Sequence, residues 1–156
     1  MRPVLSTLIV GVLLTASLAA FAASGASDPV IGSWTLNVAR STGVVPKSDT
    51  RTYTAADGGI KLTMKRVTAA GKEISAQTSY KYDGKDYPFT GSSDYDTVSA
   101  KRIAPHIVQI TQKLRGKVVG MTTRTISGDG KTLTLATRST NAGGEVVSST
   151  LVFERK

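Results

Sequence analysis

His106 is the chain's single histidine and directly follows Pro105. A Ser-His-Asp triad or a histidine metal site needs partners beside the imidazole, and no recognisable spacing supplies them. His106 therefore reads as a solvated residue at the start of a strand. Cysteine is absent, which removes disulfides, thiolate metal sites and a thiol nucleophile. Four carboxylates, Asp83, Asp86, Asp94 and Asp96, lie close enough in sequence to raise calcium ligation through oxygen. Their spacing fits no D-x-[DN]-x-[DN]-G loop, and Asp83-Gly84 is explained as a turn dipeptide. No glycine-rich phosphate loop precedes a helix. The chemistry expected from these residues is binding without catalysis, cofactor or metal.

The formal net charge is +9 and the sequence pI about 10.0. Such a surface attracts polyanions: nucleic acid, anionic lipid or lipopolysaccharide. The basic residues do not cluster, however; the pairs Lys65-Arg66, Lys101-Arg102 and Arg155-Lys156 are spread along the chain. Aromatic residues make up only 6% of the sequence, so the interleaved aromatic and basic pattern of nucleic-acid readers is missing. Weak polyanion contact is compatible with this composition; specific nucleic-acid recognition is not expected.

The N-terminus reads as a secretory signal peptide. Arg2 precedes an apolar run from Val4 to Leu18, and Ala20-Phe21-Ala22 fits an A-x-A cleavage site. The run is shorter than the ~20 residues of a membrane span and has no basic stop-transfer cluster behind it. Residues 1–22 are expected to be removed, leaving 23–156 as one domain, exported to a bacterial periplasm or secreted, and not membrane-spanning.

Elements of period two must position any site. Alternating apolar residues predict strands near 31–39, 49–55, 59–67, 73–82, 85–90, 95–103, 106–114, 117–126, 131–139 and 145–154. Turn residues separate them, among them Asp57-Gly58-Gly59, Asp83-Gly84-Lys85, Arg115-Gly116-Lys117 and Gly128-Asp129-Gly130. The fold class is all-β. An antiparallel up-and-down meander closed into a barrel of 8–10 strands removes the exposed edges that an open sheet would leave. A two-sheet sandwich is the alternative.

Faces follow from the hairpins. A three-residue loop at Gly128-Asp129-Gly130 places Thr125 opposite Leu133, Thr123 opposite Leu135 and Met121 opposite Thr137. Val147, Ser149, Leu151 and Phe153 then share that inner face, and Arg124, Arg138 and Glu154 face solvent. A slip of one residue exchanges the two faces.

Gly32-x-Trp34, at the start of a β-meander, resembles the opening of the lipocalin and fatty-acid-binding protein (calycin) superfamily. Ser149-Thr150-Leu151-Val152-Phe153-Glu154-Arg155-Lys156 is similar to the closing strand of intracellular fatty-acid-binding proteins. The stretch from Asp28 to Lys156 also resembles secreted bacterial lipocalin-like proteins of unassigned function. It matches their opening at Gly32, Trp34, Leu36, Asn37, Ala39, Arg40 and Ser41, and a further segment from Tyr82 to Pro88. The resemblance implies a barrel floor built on Gly32 and Trp34, with Arg138 or Arg155 stacked on the indole. It also implies where a fatty-acid carboxylate would sit, on an Arg-x-Tyr pair in the last strand. Leu151 and Phe153 occupy those positions here, so that mode of grip is not expected.

Two functional readings follow. In the first, the barrel binds a small hydrophobic or weakly polar molecule, with Met64, Tyr80, Tyr82, Met121, Leu135 and Phe153 as contacts and Thr123 and Thr137 as hydrogen-bonding groups. In the second, the interior is packed and the basic exterior docks on an envelope polyanion or a partner protein.

Overall fold

The computed structural model describes residues 27–156; the segment read as a signal peptide, 1–22, lies outside them. Ten antiparallel strands follow one another: β1 (Gly32–Gly43), β2 (Ser48–Ala56), β3 (Gly59–Val67), β4 (Glu73–Tyr80), β5 (Asp83–Thr90), β6 (Thr97–Ala104), β7 (Ile107–Leu114), β8 (Lys117–Ile126), β9 (Thr132–Thr140) and β10 (Val146–Arg155). Each pairs with its sequence neighbours, and β1 pairs with β10 to close the barrel. The closed meander is the predicted architecture, and the sandwich alternative is excluded. Two places depart from a regular ladder. β4 and β5 share only the pairs Gln77–Thr90 and Thr78–Phe89. β1 bulges between Asn37 and Thr42 while β10 advances from Val152 to Thr150.

Period-two patterning explains the interior. On β3, Ile60, Leu62 and Met64 are buried, and Lys61, Thr63 and Lys65 between them are exposed. The floor is the most tightly locked region. Trp34 is fully buried and its Nε1 donates to the Val30 carbonyl at 2.8 Å. The Arg155 guanidinium lies 4.3 Å from the indole centroid. It donates to three backbone carbonyls, Gly130 (2.7 Å), Ile31 (2.6 Å) and Pro29 (2.6 Å). One side chain thus ties the chain's entry, its last strand and the β8–β9 connection around the tryptophan, as cation–π stacking and three charge-assisted hydrogen bonds favour. Gly32 makes this approach feasible, because a Cβ at that position would run into Arg155 Nη1 and its φ of +136° disfavours any side chain. Arg138, the other arginine considered for this role, lies on the outer face opposite Met121 and is exposed.

The β8 face is corrected by the structure. Ile126 pairs with Leu133, Arg124 with Leu135 and Thr122 with Thr137. The connection is one residue longer than expected, closed by Ser127 N donating to Thr132 O and Gly130 N donating to Ser127 O. The Asp129 carboxylate accepts from Ser127 Oγ and Lys131 N, which holds this wider turn. The extra residue rotates β8 by one position. Met121 (44% exposed) and Thr123 therefore point to solvent, and Thr122 and Arg124 point inward.

Candidate ligand-binding cavity

The connections after β1, β5 and β9 gather at the end of the barrel opposite the Trp34 floor. Between them a cavity of about 420 Å³ enters the barrel. Its apolar belt includes Leu62, Phe89, Val98, Ile110, Leu135 and Leu151. Thr78 on β4 and Thr122 on β8 line the same wall between these apolar residues.

The predicted contacts divide by depth and by face. Tyr80, Leu135 and Thr137 line the cavity. Thr137 Oγ1 lies 2.8 Å from Thr122 Oγ1, and this hydroxyl pair supplies hydrogen-bonding capacity on the wall. Met64 and Phe153 are buried among the core side chains and do not reach the cavity surface. Tyr82 stands at the rim of the floor, partly buried. Met121 and Thr123 are excluded from the interior by the β8 register.

Charged groups inside the barrel were not expected. Asp49 is buried, and its carboxylate accepts from two arginines on the same inner face. Arg51 donates through Nε (3.3 Å) and Nη2 (3.0 Å), and Arg66 through Nε (2.9 Å) and Nη2 (2.7 Å). Both arginines line the cavity. Arg51 also lies 5.1 Å from the Phe153 ring centroid. Two guanidinium groups share one carboxylate, which leaves one positive charge in excess on this wall. Burial opposes the Arg51 charge, but Asp49 more than compensates, so its pKa is raised and it stays cationic. A signal for these residues exists: Arg66 continues the inward series Ile60, Leu62, Met64, and Arg51 lies two residues before the core residue Tyr53.

Beneath the cavity Arg124 is buried, donating from Nη1 to Tyr80 Oη (2.8 Å) and from Nη2 to Tyr82 Oη (2.6 Å). Tyr82 donates its own hydrogen bond to Asp28 Oδ2 at 2.7 Å, and Arg102 also pairs with that oxygen. Burial is the largest influence on Tyr82 and pushes its phenol up to about 12 despite the Arg124 charge. Burial alone would raise the Asp28 carboxyl, yet the bonds from Tyr82 and the Val30 N–H, with the charges of Arg102 and Arg124, hold it below its ordinary 3.8. A depressed carboxyl stabilises the fold above its unfolded value and loses that contribution as pH falls through the folded one. The melting temperature is accordingly expected to drop as pH falls below about 4, and Asp28→Asn to flatten that slope. Exposed Asp83, Asp96 and Asp129 are lowered too, so the slope shrinks rather than vanishes. An unchanged slope in a pH series of melts would refute this role for Asp28.

The four aspartates considered for calcium serve separate local purposes. Asp83 accepts from Tyr87 Oη and Lys85 N, Asp86 pairs with Lys113, and Asp94 Oδ1 lies 3.4 Å from Ser93 Oγ. Asp96 accepts from Arg115 N and Thr97. His106 is exposed in the β6–β7 turn, and its backbone carbonyl accepts from Ile126 N.

No protein-family model matches the chain, and no curated protein matches it. Among solved structures it is similar to zebrafish ileal bile acid-binding protein complexed with cholic acid, at a TM-score of 0.52 and 11% identity, over 82% of this chain and 99% of that one. It is also similar to the siderocalin Ex-FABP, at a TM-score of 0.38 and 9% identity, over 82% of this chain and 74% of that one. The likeness to the zebrafish protein is one of fold: a closed barrel of antiparallel strands.

Proposed function

We propose that the barrel binds one small, largely apolar molecule within its cavity and performs no catalysis. The observation that carries this reading is the space itself. A barrel of about eight strands can be filled by its own side chains, and about 420 Å³ is left open inside this ten-stranded one. That volume falls in the range of roughly 300–1,000 Å³ typical of ligand pockets, and an apolar wall with a few convergent polar groups is their usual lining. The fold found with cholic acid in the zebrafish protein supports the same reading. Export, with residues 1–22 removed, is part of the proposal.

Titration with Nile red, an uncharged apolar dye, tests it. The wild-type protein is expected to bind one equivalent with a blue-shifted emission. Thr137→Phe projects a ring into the cavity from β9 and is expected to weaken binding by about tenfold or more, a loss of about 1.4 kcal/mol or greater, while the melting temperature changes little. Absence of saturable binding by the wild type would reject the reading. So would equal affinity in Thr137→Phe, which would move the bound dye elsewhere.

A further inference from the structure

Besides the Thr122–Thr137 hydroxyl pair on the wall, the cavity carries a charged group at one level and a phenol at another, and this says what kind of molecule it takes. Near the open end, Arg51 and Arg66 share Asp49, whose carboxylate is fully buried. Each arginine spends Nε and Nη2 on that carboxylate, and neither Nη1 has a hydrogen-bond partner among the described residues. Asp94, the carboxylate that lines the cavity, is exposed at the mouth and pairs with neither arginine among the described residues. The excess positive charge therefore faces the cavity, with the Nη1 group of each arginine free to donate.

At the deep end stands Tyr80, which is 4% exposed and lines the cavity. Its oxygen accepts from Arg124, so its own proton is left to donate, and no described residue accepts it. Tyr82, by contrast, spends its proton on Asp28. On β3 the inward series runs Arg66, Met64, Leu62, Ile60; Arg51 is opposite Met64 and Tyr80 opposite Ile60. The two polar levels are thus separated by about 13–20 Å along the wall, at the rise of an extended strand. The apolar belt lies between them.

We infer that the ligand is an elongated amphiphile carrying an acidic group at one end, held by Arg51 and Arg66 near the open end, and a hydrogen-bond acceptor at the other, held by the Tyr80 hydroxyl. A single negative charge neutralises the arginine pair, since Asp49 already offsets one of the two. The head is reached first from solvent and the neutral acceptor is buried deepest. This grip differs from one on the last strand, where Leu151 and Phe153 offer no polar atom. The inference rests on the cavity-binding reading above and adds the chemical class.

Displacement of Nile red by dodecanoate, 1-dodecanol and 12-hydroxydodecanoate separates the two. In the wild type, dodecanoate is expected to compete about tenfold more strongly than 1-dodecanol, as a charge-assisted bond in a dry site allows. Arg66→Met leaves Arg51 and Asp49 as a neutral pair and should abolish that preference, and Arg66→Lys should restore most of it. In the wild type, 12-hydroxydodecanoate is expected to bind several-fold more tightly than dodecanoate, and in Tyr80→Phe equally. The wild-type comparisons stand even if a variant folds poorly. Equal binding of dodecanoate and 1-dodecanol, a preference that survives Arg66→Met, or no gain from the distal hydroxyl would each overturn the inference, although Nile red binding would keep the cavity reading intact. Loss of Nile red binding itself would remove both.

Discussion

Asp49→Asn is expected to destabilise the barrel by about 3–5 kcal/mol, the usual cost of leaving a buried charge without its partner. The substitution keeps the volume of the side chain and removes only its charge. Two guanidinium groups would then face each other on the inner wall, with side-chain exposures of only 11% for Arg51 and 25% for Arg66. Water can screen little of that repulsion at such burial. The second half of the expectation is a rescue. Arg66→Met added to Asp49→Asn relieves the repulsion between the two guanidinium groups but leaves Arg51 unpaired, so the double variant should recover part of the loss, showing the coupling expected of residues in contact. Urea denaturation of the two single variants and the double variant measures both. Asp49→Asn within about 1 kcal/mol of wild type would show that the cluster is not held as described.

Trp34→Ala should remove still more, about 5–7 kcal/mol. Truncating a fully buried aromatic side chain costs about 3–5 kcal/mol through lost transfer energy and the cavity left behind. The Val30 carbonyl loses its donor, and Arg155 loses the ring on which it stacks, each worth roughly 1 kcal/mol. A domain of this size has about 5–15 kcal/mol of net stability, so a large share disappears at once. Trp34→Phe keeps a ring beneath the guanidinium and gives up the indole N–H, and should cost about 1–2 kcal/mol. Far-ultraviolet circular dichroism melts distinguish the two variants. A Trp34→Ala melting point within a few degrees of wild type would contradict the floor architecture.

The strands were legible in the sequence because their patterning and turn residues agree. Ile60-Leu62-Met64 alternates with Lys61-Thr63-Lys65, and Asp57-Gly58 and Arg115-Gly116 mark hairpins where the chain has positive φ. Closure into a barrel followed from the number of strands and the absence of any long crossover. The face of β8 was not legible, because it depends on one residue of loop length. Ser127 and Asp129 build a wider turn than the glycines around them require, and only their hydrogen bonds reveal it.

The charged interior was harder to read for a different reason. A strand with a half-buried face normally places its arginines in solvent, and Arg124 between Thr123 and Thr125 gives no local reason to do otherwise. What admits it is a set of partners distant in sequence, Tyr80 and Tyr82, which satisfy its donors beneath the cavity. Asp49, Arg51 and Arg66 satisfy one another in the same manner. Period-two parity did carry a hint, since Arg66 follows Met64 on the apolar face and Arg124 precedes Ile126 on the other. The hint needs the register of the neighbouring strands to become an assignment.

Methyl-resolved NMR of the folded protein saturated with Nile red reports on whether a small molecule occupies the inside of this barrel. The methyl groups of Leu62, Leu135 and Leu151 line the cavity, and those of Ile103, Val118 and Met121 are exposed on the outside. Ring-current shifts concentrated on the first group, with the second unmoved, are the predicted result. Shifts confined to the exposed group, or none at saturation, would contradict occupancy of the interior and place any binding on the outer surface.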